Sequence, residues 1–387
     1  MLTPEEMDAA GELVAAVYSR IESAMLLHLT RKLVEGDIGG QRAQTAMVLL
    51  SQSAAPALRK ILHDSANDID AAVRADVERA LKASDARDLA TIKRGLGIEL
   101  ASITTRQMAT TVVGIGEILA RHNLDMTAGA QAAFIAASTE AIANVNAGTM
   151  TSEQALHKAV RDLNGKGITV IQYGDPVTGR KTVANQADVA VRRHVRTQIA
   201  QAGMRRTEQV MDEAGIRFVE VTSHTGARPS HQEWEGRVYS RDGRQVVDGV
   251  TYEDFATACH LGDVADGIYG ANCRHSHGPW IPGTPRTYFP DPEHPSGEGN
   301  TEIYDTTQVQ RAMERRIRAT KREIAGMQVV HDETGTESSA AELQRLKGKL
   351  RDQQAKVREL VADNAAILQR RPELEWAGDA TARKPTR

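Results

Sequence analysis

A chain of 387 residues with 41% apolar and 26% charged residues exceeds one small module, and at about 100–200 residues per domain it predicts two or three folded units. Its mean hydropathy of −0.41 and the lack of any apolar run of ~18 residues exclude a helical membrane span, and the opening MLTPEEMDAA has neither the basic nor the apolar segment of a signal peptide, so no membrane partner and a cytoplasmic site of synthesis are expected. Lysine plus arginine (48) against aspartate plus glutamate (51) leaves −3, which excludes a chain-wide nucleic-acid face but allows local basic stripes, while two cysteines, Cys259 and Cys273, exclude a disulfide framework.

Thr3-Pro4-Glu5-Glu6 supplies an N-cap, a proline at the first helical position and acids in the first turn. A helix is predicted from there to about Leu33, with Leu13, Val14, Val17, Ile21, Met25 and Leu29 on one face and Glu35-Gly36-Asp37-Ile38-Gly39-Gly40 as its end. Periodic stretches predict further helices at about 41–64, 67–83, 86–122 and 126–146, divided at Asp64-Ser65, Ser84-Asp85 and His122-Asn123. Thr151-Ser152-Glu153-Gln154 caps a short helix to about Leu163. The β-branched run Ile168-Thr169-Val170-Ile171-Gln172-Tyr173 alternates as a strand, Gly174-Asp175-Pro176 signals a turn, and 178–183 returns as the second strand of a hairpin. From about Asn185 to Ala214 a long helix carries Arg192, Arg193, His194, Arg196, Arg205 and Arg206, a stripe that reads either as a solvated face or as a nucleic-acid contact. Gly215 ends it before the strand Arg217 to Thr222.

Most aromatic residues, both cysteines and half of the 12 histidines then crowd into one irregular stretch. The C-terminal part returns to helical periodicity: Leu343, Leu346, Leu350, Gln353, Val357, Leu360, Asn364 and Ile367 fill a and d positions behind a cap at Ser339-Ala340-Ala341-Glu342. An earlier stripe of Val309, Met313, Ile317, Ile324 and Met327 folds back on it through a turn near His331 to Ser338, or the seam pairs between chains through 305–368. The expected chain is thus mainly α with a small α+β centre: a helical region over 1–150, an irregular His/Cys-rich centre over 151–300, a helical hairpin or coiled coil over 301–370, and a flexible basic tail over 371–387.

Two segments of the centre carry side chains suited to chemistry, Thr222 to Gly236 and Gly270 to Trp280. Zinc takes four nitrogen or sulfur ligands, and a Cys-x-His pair on extended backbone puts both donors on one face. His224, His231, Cys273 and His275 therefore form a candidate closed, structural Zn2+ site, with His277 as a substitute ligand and Cys259-His260 as a weaker one. The same residues also read as loop histidines bonding carbonyls beside a buried cysteine, or as a Cys-His nucleophile of a metal-dependent hydrolase. The deaminase, His-Glu-x-x-His protease and phosphate-loop patterns are absent, and Glu233 and Glu235 read as surface acids.

At these residues the chain resembles the phage minor capsid protein 2 family, relatives of the Mu F-like head morphogenesis proteins. The resemblance is carried by Lys166-Gly167-Ile168-Thr169-Val170-Ile171-Gln172-Tyr173, by Asp188-Val189-Ala190-Val191-Arg192-Arg193, by Ser223 to His231 with Trp234, Gly236 and Tyr239, and by Asn272-Cys273-Arg274-His275. It covers about 150–285 most closely, the N-terminal helices more loosely, and leaves the heptads after 305 as an appendage. It implies a non-enzymatic virion protein of low copy number near the portal inside the phage head, assisting head assembly or genome packaging and delivery, with portal and other head proteins as partners. The Mu F-like pattern has a Cys-x-x-Cys pair where this chain has His231, and a Cys-bearing second element that is similarly suggestive of zinc. A second reading is an internal head protein that binds packaged DNA through Arg192, Arg193, Arg196, Arg205 and Arg206 and through a stripe of Arg311, Arg315, Arg316, Arg318, Lys321 and Arg322.

Overall fold

The computed structural model describes residues 1–174, 181–290, 294 and 296–378. In chain order its elements are α1 (Pro4–Ala9), α2 (Glu12–Glu35), α3 (Ala43–Asp64), α4 (Ala66–Leu96), α5 (Thr105–Asn146), α6 (Ser152–Lys166), β1 (Thr169–Gly174), β2 (Lys181–Gln186), α7 (Ala187–Glu213), β3 (Phe218–Val221), β4 (Val238–Ser240), β5 (Gln245–Val247), β6 (Val250–Tyr252), α8 (Phe255–Ala258), β7 (His277–Trp280), α9 (Asn300–Thr334) and α10 (Glu337–Asp363). The mainly helical architecture with a small strand-bearing centre and C-terminal helices is the one expected. The turn at Asp175-Pro176 and the basic end from Arg383 to Arg387 lie outside the described residues.

Several helix boundaries differ from their sequence signals, some for a tertiary reason and some because a different local cap takes over. The first helix does not run unbroken to Leu33: α1 stops at Ala9, and Gly11 adopts φ +83° where a Cβ would stand 2.9 Å from the Arg192 carbonyl oxygen. The restart at α2 is capped from afar, with Asp76 Oδ2 accepting the Val14 amide at 3.4 Å. Ser84-Asp85 and His122-Asn123 do not end helices, because α4 and α5 run through them. Asp85 is engaged by Arg206 Nε at 2.7 Å and by the Ile103 amide at 2.8 Å, so it does not compete for the backbone of its own helix. Asn123 likewise accepts the Tyr18 hydroxyl at 2.7 Å. The break falls instead after Leu96, and Thr104 with Gln107 forms a capping box that starts α5. α10 begins behind Thr336, whose Oγ1 accepts the Ser339 amide at 3.2 Å, rather than at Ser339.

The chain divides into two compact units. One comprises residues 1–14, 70–118 and 192–308. Its three-stranded antiparallel sheet has the order β4-β3-β7, with Val219 opposite Tyr239 on one side and Pro279 on the other, and β5 and β6 pair as a hairpin. Leu81, Val210, Met211, Val219 and Val221 lie in its interior, and Asp88 accepts the Thr207 hydroxyl at 2.6 Å.

The second unit comprises the described parts of 15–69, 119–191 and 309–387. Its interior holds Ile21, Met25, Leu29, Leu58, Phe134, Val160 and, from the C-terminal seam, Ile317, Met327, Leu343, Leu346 and Val357. α9 and α10 form a hairpin within the chain: His331 Nδ1 meets Ser339 Oγ at 2.9 Å across the turn, and Lys349 pairs with Glu323 at 2.9 Å. Asn364 caps the end of α10 instead of filling a core position. The buried Glu22 carboxylate ties α2 to α9 and to the start of β1, lying 3.7 Å from Arg322 and accepting the Ile168 amide at 2.7 Å.

Candidate metal centre

The site belongs wholly to the first unit. β3 runs into Thr222-Ser223-His224, and a single 3-10 turn, Pro229–His231, follows, closed by the His231 amide on the Arg228 carbonyl at 2.8 Å. The other half arrives from the loop before β7, where Tyr269 and Asn272 take φ of +64° and +61° ahead of Cys273. Arg228 joins the two halves: its guanidinium bonds the carbonyl oxygens of Ala265 at 2.9 Å and Ala271 at 3.1 Å and the Asp266 carboxylate at 3.0 Å. Gly236 takes φ +63° against Phe289, a close approach that a side chain would block.

This folding gathers His231, Cys273 and His275, whose ligand atoms all lie within 4.8 Å of one another and whose residues are 2%, 3% and 1% exposed. His231 Nδ1 stands 3.3 Å from His275 Nδ1, and Cys273 Sγ stands 3.8 Å from the same His275 atom. The thiol sulfur accepts the His275 amide at 3.3 Å, a donor that favours the thiolate. His275 turns its other nitrogen, Nε2, to Glu235 Oε2 at 2.8 Å. The Trp234 indole covers both imidazoles, with ring centroids 4.6 Å from His231 and 4.8 Å from His275. His224 is placed differently from these three: its ring stacks on His275 at 4.7 Å, and its Nδ1 meets the Thr225 carbonyl oxygen at 3.0 Å.

The electrostatics keep the imidazoles neutral. Burial and then the Arg274 guanidinium pull His224 down to about 4; burial and Arg228 do the same to His231, also about 4. Burial and then the neighbouring His224 and His231 rings hold His275 well below its ordinary range. Burial pushes the Cys273 thiol up to about 11, opposed by the amide that points at it. Neutral imidazoles and a thiol whose proton a cation can displace are the states a metal centre requires.

His277 is drawn into another set of bonds: its Nδ1 meets the Tyr269 hydroxyl at 3.0 Å and its Nε2 meets Glu208 at 2.9 Å, so it does not join the cluster. Cys259 is buried, and His260, next to it, points its chain through φ +49°. Glu235, expected at the surface, is fully buried against His275. No spacing rule could flag it, because Glu235 and His275 stand 40 residues apart, one on the segment after β3 and the other on the loop before β7. Along α7, Arg192 pairs with Glu12 at 2.9 Å, Arg196 bonds the Asp8 carbonyl at 2.7 Å, and Arg206 is buried against Asp85, while Arg205 is exposed. Arg193 lies half-buried between them.

Long helices, a small antiparallel sheet and a buried His/Cys cluster define a mainly helical protein with a small strand-bearing centre. No helix among the described residues is long and apolar enough to cross a membrane. The profile of the phage minor capsid protein 2 family matches residues 2–355, and the chain belongs to that family. No curated protein and no solved structure matches it. Membership makes it a structural component of the phage head, located in the virion, whose partners are other head proteins.

Proposed function

We propose that this minor capsid protein is a non-catalytic, portal-associated component inside the head that assists assembly or genome packaging and delivery, with its central unit held by a structural zinc ion. The observation that carries the capsid role is the family match over residues 2–355. Support for a structural ion comes from the donor set: two nitrogens at ~2.0–2.1 Å from zinc stand about 3.3 Å apart at a tetrahedral angle, and a nitrogen and a sulfur at ~2.3 Å stand about 3.6 Å apart. The observed spacings are 3.3 Å and 3.8 Å. The burial of all three ligands, each 3% exposed or less, favours the structural reading over the hydrolase, although three donors leave the fourth position of a zinc tetrahedron to a group outside this set.

In that reading the helical region over 1–150 docks on the portal or an inner head surface, and the hairpin over 301–370 offers its outward face to a partner or a second copy. Two measurements test it. Purified wild-type phage should contain the protein by mass spectrometry, and a nonsense mutant should yield heads that are misassembled or fail to deliver DNA; normal infectious particles without it would sink the role. Elemental analysis of the purified chain should find one zinc, lost in Cys273→Ser and His231→Ala; a metal-free wild type with unaltered unfolding in chelator would remove the ion.

A further inference from the structure

The hydrogen-bond pattern around His231 admits only three protonation states, and each can be weighed. If Nδ1 carries the proton, it can donate to His275 Nδ1, but Nε2 is then a buried lone pair 3.4 Å from the Asp266 carboxylate with no donor to satisfy it. If Nε2 carries the proton, the Asp266 carboxylate stands 3.4 Å away, an electrostatic neighbour beyond a full hydrogen bond, and the two Nδ1 lone pairs of His231 and His275 face each other at 3.3 Å. His275 cannot relieve this, because its own Nε2 proton is committed to Glu235 at 2.8 Å. The doubly protonated state would bury a full charge on a ring that is 2% exposed, beside an Arg228 guanidinium that already takes the Asp266 carboxylate at 3.0 Å. Of the three, only the second is completed by something that enters the site: a cation between the two nitrogens turns opposed lone pairs into ligand bonds.

We propose that Asp266 and Glu235 are positioning residues that fix the Nε2–H tautomers of His231 and His275, so that a thiophilic divalent cation is held by two Nδ1 atoms and the Cys273 sulfur. This inference rests on the zinc reading above. Asp266 is itself oriented for the task, accepting the Ser230 hydroxyl at 2.7 Å and the Arg228 guanidinium at 3.0 Å. Glu235 is oriented by the His224 amide at 3.2 Å as well as by His275. A carboxylate behind each ligating imidazole raises its basicity and fixes its ring, and loss of such a partner typically weakens metal binding 10–100-fold. His224, stacked face to face on His275, keeps its in-plane lone pair out of the plane in which His275 donates, and acts as a packing partner of the centre.

The test uses the full chain, stripped with chelator and titrated with cobalt(II), whose thiolate charge-transfer band reports Cys273 and whose visible bands report coordination geometry. Wild type should take up one equivalent with both signatures. Asp266→Asn and Glu235→Gln should each weaken cobalt binding 10–100-fold while the thiolate band persists at saturation; His224→Ala should keep the wild-type spectrum. Asp266 is part-exposed, so Asp266→Asn remains informative where Glu235→Gln fails to fold. Wild-type affinity in Asp266→Asn, or in a folded Glu235→Gln, with cobalt bound in wild type, overturns the positioning role and leaves the metal reading standing. A wild type that binds no cobalt and no zinc overturns both.

Discussion

At the scale of single residues, the centre depends on imidazoles kept neutral by burial. His224 and His231 titrate at about 4 when folded, against an ordinary value of 6.5, so unfolding lets each take up a proton between those limits. The sign follows: their contribution to stability is complete above pH 6.5, declines as pH falls toward 4, and changes no further below. In metal-free protein the decline should approach about 1.4 kcal/mol per pH unit for each histidine. Urea unfolding at pH 7.5, 6.0 and 5.0 measures it; a flat profile for the first unit would contradict the buried, neutral state. The histidines and Cys273 were legible as candidates because residue type and spacing alone mark metal donors. Glu235 and Asp266 were not, since a carboxylate behind an imidazole is a relation between loops that share no sequence spacing.

At the scale of elements, local signals succeeded where the chain answers to itself and failed where distant groups answer for it. The capping box at Thr151 and Gln154 starts α6 as read, because both partners lie within one turn. Gly11 is a different case: its positive φ and the close Arg192 carbonyl make it a joint between α1 and α2. Gly11→Ala should therefore destabilise the chain by more than about 1 kcal/mol, seen as a lower midpoint in denaturant with an unchanged far-ultraviolet spectrum. Glu22 is the other test. Glu22→Ala leaves the Arg322 guanidinium buried opposite an empty space and the Ile168 amide without its acceptor, a change expected to cost about 3–5 kcal/mol. Thermal unfolding of the variant checks it, and a shift within error would mean that water or a neighbouring group replaces the carboxylate.

At the scale of the whole molecule, each unit has its own interior, and the ion is expected to matter to one of them. Hydrogen exchange with and without chelator should show lost protection over β3, β4 and β7 of the first unit, while α6 and the α9–α10 hairpin of the second keep theirs. Equal loss in both units would indicate that the centre supports the entire chain; no loss would argue against a structural ion. The arginines of α7 carry a related expectation for DNA. Arg192, Arg196 and Arg206 already serve Glu12, Asp8 and Asp85, so retention on a DNA column should be weak and nearly independent of Arg205→Glu.

The sequence by itself determined the helical character of residues 1–150, the strand-bearing centre, the helical periodicity of the C-terminal part and the set of histidines and cysteine worth watching, because periodicity, caps and residue type act over a few positions. Only the tertiary structure decided where helices break, which histidine joins Cys273 and which stacks aside, and that Glu235 is interior. Those outcomes depend on burial and on partners far apart in the chain: Asp85 remains helical because Arg206 holds it, and His277 leaves the cluster because Tyr269 and Glu208 claim both its nitrogens.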